Sequence, residues 1–161
     1  MFVDFKSLAR LLGIAFLAVV IWLMWWCQPE RQVRRAQGRL FGALESRDYE
    51  AFARLLADDY RDRWEHDKAF VLRRCPQVFD QFLTLTIEGE HRGAEETPTG
   101  WILQQKITVT GLGGPLGMYA RDEVNALREP FTMTWRKKSW KPWDWELIRV
   151  EQPELRIPIE R

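Results

Sequence analysis

At 161 residues, the chain has room for one domain and a short appendage, and its 46% hydrophobic and 29% charged residues are a globular composition, not a disordered one. Lys and Arg number 24 against 23 Asp and Glu, a net charge of +1. The cationic surplus with which a nucleic-acid binder replaces phosphate counterions is therefore missing, and no nucleic acid is expected as a partner.

The first element is hydrophobic. Residues 8–26 (LARLLGIAFLAVVIWLMWW) carry a single charge, Arg10, close enough to the start for its long side chain to snorkel to an interface. Nineteen helical residues rise roughly 28 Å, about the thickness of a hydrocarbon core. Trp22, Trp25 and Trp26 crowd the far end, where amphipathic rings favour the headgroup boundary. The bulky pair before Cys27 disfavours a signal-peptidase or lipoprotein cut. The expectation is a single-pass transmembrane anchor over residues 1–28, with the lipid bilayer as partner. Arg31, Arg34, Arg35 and Arg39 beyond the span favour a cytoplasmic domain by charge count, whereas the short basic N-terminal tail has the layout of a signal-anchor. The expected side is the exported one. Cys27 closes this segment and Cys75 lies well inside the remainder, so a disulfide between them is not expected, and two cysteines decide nothing about redox compartment.

Helical periodicity follows. Pro29 suits a first helical turn, and residues 30–45 place Val33, Ala36, Leu40 and Leu44 on one stripe. Asp48 is positioned to cap a second helix over residues 49–57, with Tyr49, Phe52, Leu55 and Leu56 on one side. A third helical stretch runs over residues 66–74, limited by Pro76.

Strand alternation then takes over. Residues 82–90 alternate Leu83, Leu85 and Ile87 against polar positions, residues 91–99 read as a polar turn, and residues 101–110 alternate Trp101, Leu103, Ile107 and Val109. The Gly-rich residues 111–117 lack the Lys-Ser/Thr ending of a phosphate loop and read as a flexible hairpin connection. Residues 130–136 put Phe131, Met133 and Trp135 on one face, and residues 143–150 supply a last strand. Residues 153–161 form an extended tail marked by Pro153 and Pro158. Helices segregated from antiparallel strands define an α+β domain over residues 29–152.

The passage Glu45-Ser-Arg-Asp-Tyr-Glu-Ala-Phe-Ala-Arg-Leu-Leu-Ala-Asp-Asp-Tyr60, together with Phe131-Thr-Met-Thr-Trp-Arg136 and Trp143-Asp-Trp-Glu-Leu147, resembles the nuclear transport factor 2-like superfamily, which includes ketosteroid isomerase-like and polyketide cyclase-like domains. The resemblance covers roughly residues 30–152. It implies a cone: a curved antiparallel sheet packed on about three helices, with a pocket at the open end, and pairing of two copies through the sheet. Enzymes of the group place an acid or base in the cone. The strand positions that share the aromatic face here, Leu83, Leu85, Leu103, Ile107, Met133 and Trp135, include no acid, so no catalytic residue is carried across.

Two sets of residues stand out. Asp59, Tyr60, Trp64 and His66, with Trp101 and Trp135 on the strands, are ligand-pocket candidates, His66 being a potential general base near neutral pH. Arg136, Lys137, Lys138, Trp140, Lys141 and Trp143 form a basic, aromatic hairpin suited to anionic headgroups or an acidic partner. His91 with Glu88 and Glu90 lies in a polar turn that does not preorganise a metal site, and two histidines exclude a His-rich one. No metal and no cofactor are expected. The functional expectation is a membrane-anchored, non-catalytic interaction or ligand-binding module, taking a protein partner or a small apolar ligand. The alternative is a small-molecule isomerase- or cyclase-like enzyme using Asp59, Tyr60 or His66.

Overall fold

The structure, a computed structural model, describes residues 5–26 and 28–155, with the side chains of the first helix described over residues 12–22. Cys27, the side chains of Trp25 and Trp26, and the tail over residues 156–161 lie outside the described residues. The order is α1 (Phe5–Trp26), α2 (Pro29–Glu45), α3 (Tyr49–Leu55), α4 (Lys68–Phe79), β1 (Phe82–Thr97), β2 (Gly100–Gly113), α5 (Pro115–Ala126), β3 (Phe131–Lys137) and β4 (Trp145–Glu151). The four strands form one antiparallel sheet in sequence order, and the fold is α+β. Among the described residues no helix is long and apolar enough to cross a membrane.

Pro29 opens α2 at its first turn, where a missing N–H is harmless. The stripe Val33, Ala36, Leu40, Phe41, Ala43 and Leu44 is buried against the sheet. The helix closes in a Schellman arrangement: the Arg47 N–H donates to the Leu44 carbonyl at 3.2 Å and the Asp48 N–H to the Ala43 carbonyl at 2.8 Å. That geometry puts Arg47 at φ 57°, a position where glycine is favoured. The arginine is held there because its guanidinium donates to the carbonyls of Phe79 and Phe82, tying the end of α2 to the α4–β1 junction.

Asp48 caps α3 by accepting the Ala51 N–H at 2.8 Å, as its position in the sequence predicts. After α3 the chain runs beside β4, with Leu56 bridged in parallel to Leu147 and the Arg61 and Arg63 N–H groups donating to Ile148 and Val150. Asp67 then caps α4 through the Phe70 N–H at 2.7 Å. The third helical stretch does not stop before Pro76: α4 includes it and continues to Phe79. The proline falls in the last turns, where it removes one bond only, and Val78 and Phe79 pack on the core to hold the turn beyond it.

Two further expectations are corrected in the sheet. Residues 91–99 are not a turn. β1 continues through them as one 16-residue strand, His91 pairs with Gln105, and only Pro98 and Thr99 turn the chain. Polar side chains there hid a strand whose backbone is paired although its faces are wet. Leu83 does not share a face with Leu85 and Ile87. A bulge between Phe82 and Thr84 leaves Leu83 84% exposed and makes Phe82 the buried residue. A second bulge lies between His91 and Gly93, and extra residues of this kind bend and twist a strand. Just beyond the first bulge, opposite Leu85, Gly111 adopts φ 154°, and a Cβ there would lie 2.1 Å from the Thr84 carbonyl oxygen, so the sheet needs glycine at this position.

The Gly-rich stretch is not a hairpin connection either. β2 runs on to Gly113, Gly114 is the N-cap residue and Pro115 the first turn of α5, which crosses back before β3. Among the described residues the domain thus has four helices rather than three. Trp135 and Trp145 are buried strand residues at the centre of the core, with Leu103, Ile107, Phe131, Met133 and Leu147.

Candidate functional site

Helices α2 and α4 treat the sheet differently. Eight residues of α2 are buried, whereas α4 has none and α5 only Gly117. Helix α5 packs on β2, where the Asn125 side chain bonds the Val109 N–H and carbonyl, both at 2.8 Å, and a cavity of about 580 Å³ lies between α4, α5, Phe82 of β1 and Val109 of β2. Its walls are largely apolar: Val71, Val78 and Phe79 from α4, Leu116 and Val124 from α5. Leu155 closes one side. It is held there by the Trp64 indole N–H, which donates to its carbonyl at 3.1 Å, and by the Gln152 side-chain oxygen, which accepts its N–H at 3.0 Å. Cys75 also lines the space, and burial pushes its thiol up to about 12, the response of an acid in an apolar wall.

Polar groups enter this wall at few points. In the connection before α4, the Asp62 carboxylate accepts the backbone N–H groups of Trp64 and His66, both at 2.9 Å, and its other oxygen lies 2.9 Å from His66 Nδ1. The Asp62 and His66 side chains are only 6% and 10% exposed, and both border the cavity. The imidazole stacks on Phe70 at 4.0 Å and 6° between planes, with Trp64 on the stack at 6.5 Å and 25°. The Arg74 guanidinium sits 5.6 Å from the Phe70 ring centre. Arg121 of α5 reaches the cavity while donating to the Gly111 carbonyl and pairing with Asp122. With Asp62 fixing the proton on Nδ1, Nε2 is the ring nitrogen left to a ligand, and it has no partner among the described residues.

Of the six residues named as pocket candidates, His66 borders the cavity. Asp59 lies elsewhere, bonded through both oxygens to Arg136 at 2.8 and 2.9 Å, and that hydrogen bonding holds its carboxyl below the usual range. Tyr60 is a core residue, 4% exposed, its phenol pushed up by burial and by the charge of Asp62. Trp64 braces Leu155. Trp101 pairs with Trp135 across β2 and β3, and Trp135 is fully buried. The sequence reading passed over Asp62 and all of α5. The Gly114-Pro115 pair at the helix start was the available signal for α5, since Pro at a first turn is a helix-opening feature. Asp62 gave none, because a loop and not a helix brings it to His66.

The basic, aromatic hairpin is formed by residues 138–144 between β3 and β4. Trp140 is 83% and Trp143 57% exposed, with Lys137, Lys138 and Lys141 exposed around them. Arg136 is turned back from this tip onto Asp59 and Glu146. Arg39 of α2 donates to the Trp143 carbonyl at 2.7 Å, which fixes the hairpin to the helix that follows α1. Among the described residues no group of three or more His, Cys, Asp and Glu side chains is placed to hold a metal.

No protein-family model matches the sequence, and no curated protein matches it. Solved structures do match. A protein of unknown function with a cystatin-like fold from Nostoc punctiforme aligns over 78% of this chain and 92% of its own, with a TM-score of 0.54 and 14% identity. An NTF2-like protein from Cytophaga hutchinsonii aligns over 76% and 95%, with a TM-score of 0.55 and 11% identity. Bd1075 of Bdellovibrio bacteriovorus aligns over 75% of this chain with a TM-score of 0.56 and 9% identity, and the chain spans only 38% of that protein's length. At such identities the likeness defines the fold alone: the domain has the α+β fold shared by these NTF2-like and cystatin-like structures.

Proposed function

We propose that this protein is a membrane-anchored ligand-binding module whose α4–α5 cavity takes a small apolar molecule. The observation that carries the reading is the cavity of about 580 Å³ with largely apolar walls, a size and lining typical of sites for small organic ligands. The anchor is argued from α1. Its 22 residues would rise about 33 Å as a helix, and Leu12, Ile14, Phe16, Leu17, Val19, Ile21 and Trp22 are each more than half exposed. So large a run of exposed apolar side chains suits lipid better than water. In this reading the domain lies on the exported side, and the hairpin bearing Trp140, Trp143 and three lysines meets anionic headgroups near the anchor. Arg39, which holds Trp143, is ten residues into α2 from Pro29, about 15 Å along the helix axis.

Two experiments test this. The neutral fluorescent probe N-phenyl-1-naphthylamine, added to the full-length protein in lipid nanodiscs, is expected to bind beyond the level of empty discs and to lose that binding in Val124→Trp. Equal uptake by the wild type, the variant and empty discs would refute the cavity as a ligand site. For the anchor, an alkaline carbonate wash is expected to leave the protein in the membrane pellet, and release into the supernatant would refute it.

A further inference from the structure

We propose that the cavity selects compact apolar acids, and that His66, oriented by Asp62, takes up a proton when such a ligand binds. This rests on the cavity being a ligand site, as proposed above. Asp62 is satisfied by two backbone N–H groups and by His66 Nδ1, so the carboxylate has little left to offer a ligand. His66 does: it is nine-tenths buried, it borders the cavity, and its Nε2 lacks a partner among the described residues. That nitrogen is not sealed from solvent, so a ligand atom can replace water at Nε2 without displacing a protein partner. Phe70 and Trp64 hold the ring in its stack, so the acceptor is preorganised.

The charges around the imidazole decide the class of ligand. Asp62, from its own segment, is the one anion on the cavity wall among the described residues. Arg74 from α4 and Arg121 from α5 are the cations, and Cys75 on α4 is held as a neutral thiol, while β1 and β2 contribute only Phe82 and Val109. Tyr60, packed behind Asp62, is a neutral phenol. A carboxylate entering this wall borders Arg74 and the Asp122-paired Arg121. It also meets an imidazole that ordinarily changes charge between pH 5 and 8. Binding of R–COO⁻ with uptake of H⁺ from solvent gives an imidazolium hydrogen-bonded to Asp62 through Nδ1 and to the ligand through Nε2. The balance is one proton gained by Nε2, no bond broken in the ligand, and a charge-assisted hydrogen bond at each ring nitrogen.

The test uses the full-length protein in nanodiscs with 1-naphthoate as the acid and 1-naphthamide as its neutral counterpart, empty discs serving as the blank. Calorimetry at pH 8 in two buffers of different ionisation enthalpy counts protons exchanged. Expected is proton uptake with naphthoate, none with the amide, and an affinity for naphthoate that falls as the pH rises. Asp62→Asn keeps an acceptor for Nδ1 but loses the charge, and is expected to weaken naphthoate binding roughly tenfold and to reduce the uptake. In His66→Gln the uptake disappears. Unchanged thermal midpoints show that these variants remain folded. If either variant unfolds, the wild-type proton count and its pH slope still decide the matter. Naphthoate binding without proton uptake, or equal affinity for the amide, would overturn the inference and leave the cavity as a ligand site. Binding of neither probe, with N-phenyl-1-naphthylamine also excluded, would overturn both.

Discussion

Two helical layers cover the same face of one sheet, and they do opposite things with it. Helix α2 presses Val33, Ala36, Leu40 and Leu44 onto Met133, Trp135 and Leu147 and fills the space with side chains. Helices α4 and α5 also pack on the core, α5 through Asn125 bonded to Val109, but Val71, Val78, Leu116 and Val124 line a cavity beside Phe82 and Val109. Both layers are amphipathic, so hydrophobic burial alone does not separate them. The difference lies in how each is held. α2 is fixed by burial of a full stripe along its length. α4 is only partly buried, through Val71, Leu72, Cys75, Val78 and Phe79, and is held as well by the Asp67 cap at its start and Arg47 bonded to the Phe79 carbonyl at its finish.

This contrast can be broken or sharpened by mutation. The largest effect is expected in the filled half: Trp135→Ala should lower the unfolding free energy by about 3–5 kcal/mol in urea titrations, the range for large-to-small changes at buried aromatics. A loss below about 1 kcal/mol would mean that the core collapses around the deletion and that this half is less tightly packed than described. Next comes the tether of the open half. Asp67→Ala removes the α4 cap and should cost about 1 kcal/mol, accompanied by faster amide exchange in the first turn of α4 than in α2.

A smaller effect is expected at Asp59, which the sequence placed among pocket residues. Its bonding to Arg136 lies on the surface and lowers its native pKa. The stabilisation it supplies is therefore present above the unfolded value of about 4 and is lost as the pH falls through the lower native value. Asp59→Asn should differ from the wild type by less than about 1 kcal/mol at neutral pH, and the difference should vanish in acid. A gap that persisted at the acid end would show that the substitution acts through packing instead. The smallest effect on stability is expected from Ala120→Leu. It adds a larger apolar side chain to the cavity wall, so the thermal midpoint should stay level or rise while N-phenyl-1-naphthylamine binding falls. Destabilisation by about 1–3 kcal/mol, the mark of overpacking, would show that the open half is already full.

How much of this was legible in the sequence follows the same division. The filled half announces itself by periodicity: the α2 stripe, the Asp48 cap and the alternation Phe131, Met133, Trp135 are each local patterns that burial enforces. The open half does not. α5 has Leu116 and Tyr119 exposed and a weak apolar face, because part of what it covers is empty space. The second half of β1 carries charges on both faces, so alternation fails where only the backbone is paired. Asp62 and His66 meet through a turn with Glu65 at φ 63°, and no spacing rule reports such a contact. His66 was visible as a residue type, whereas its partner and its wall were not.

The most direct test of an open half beside a filled one is a methyl-resolved NMR titration of the full-length protein in nanodiscs with 1-naphthoate. The shifts should concentrate on Val71, Val78, Val109, Val124 and Leu116, with Val33, Leu40 and Leu44 unmoved. Shifts spread evenly over both sets, or absent from the first, would contradict the account.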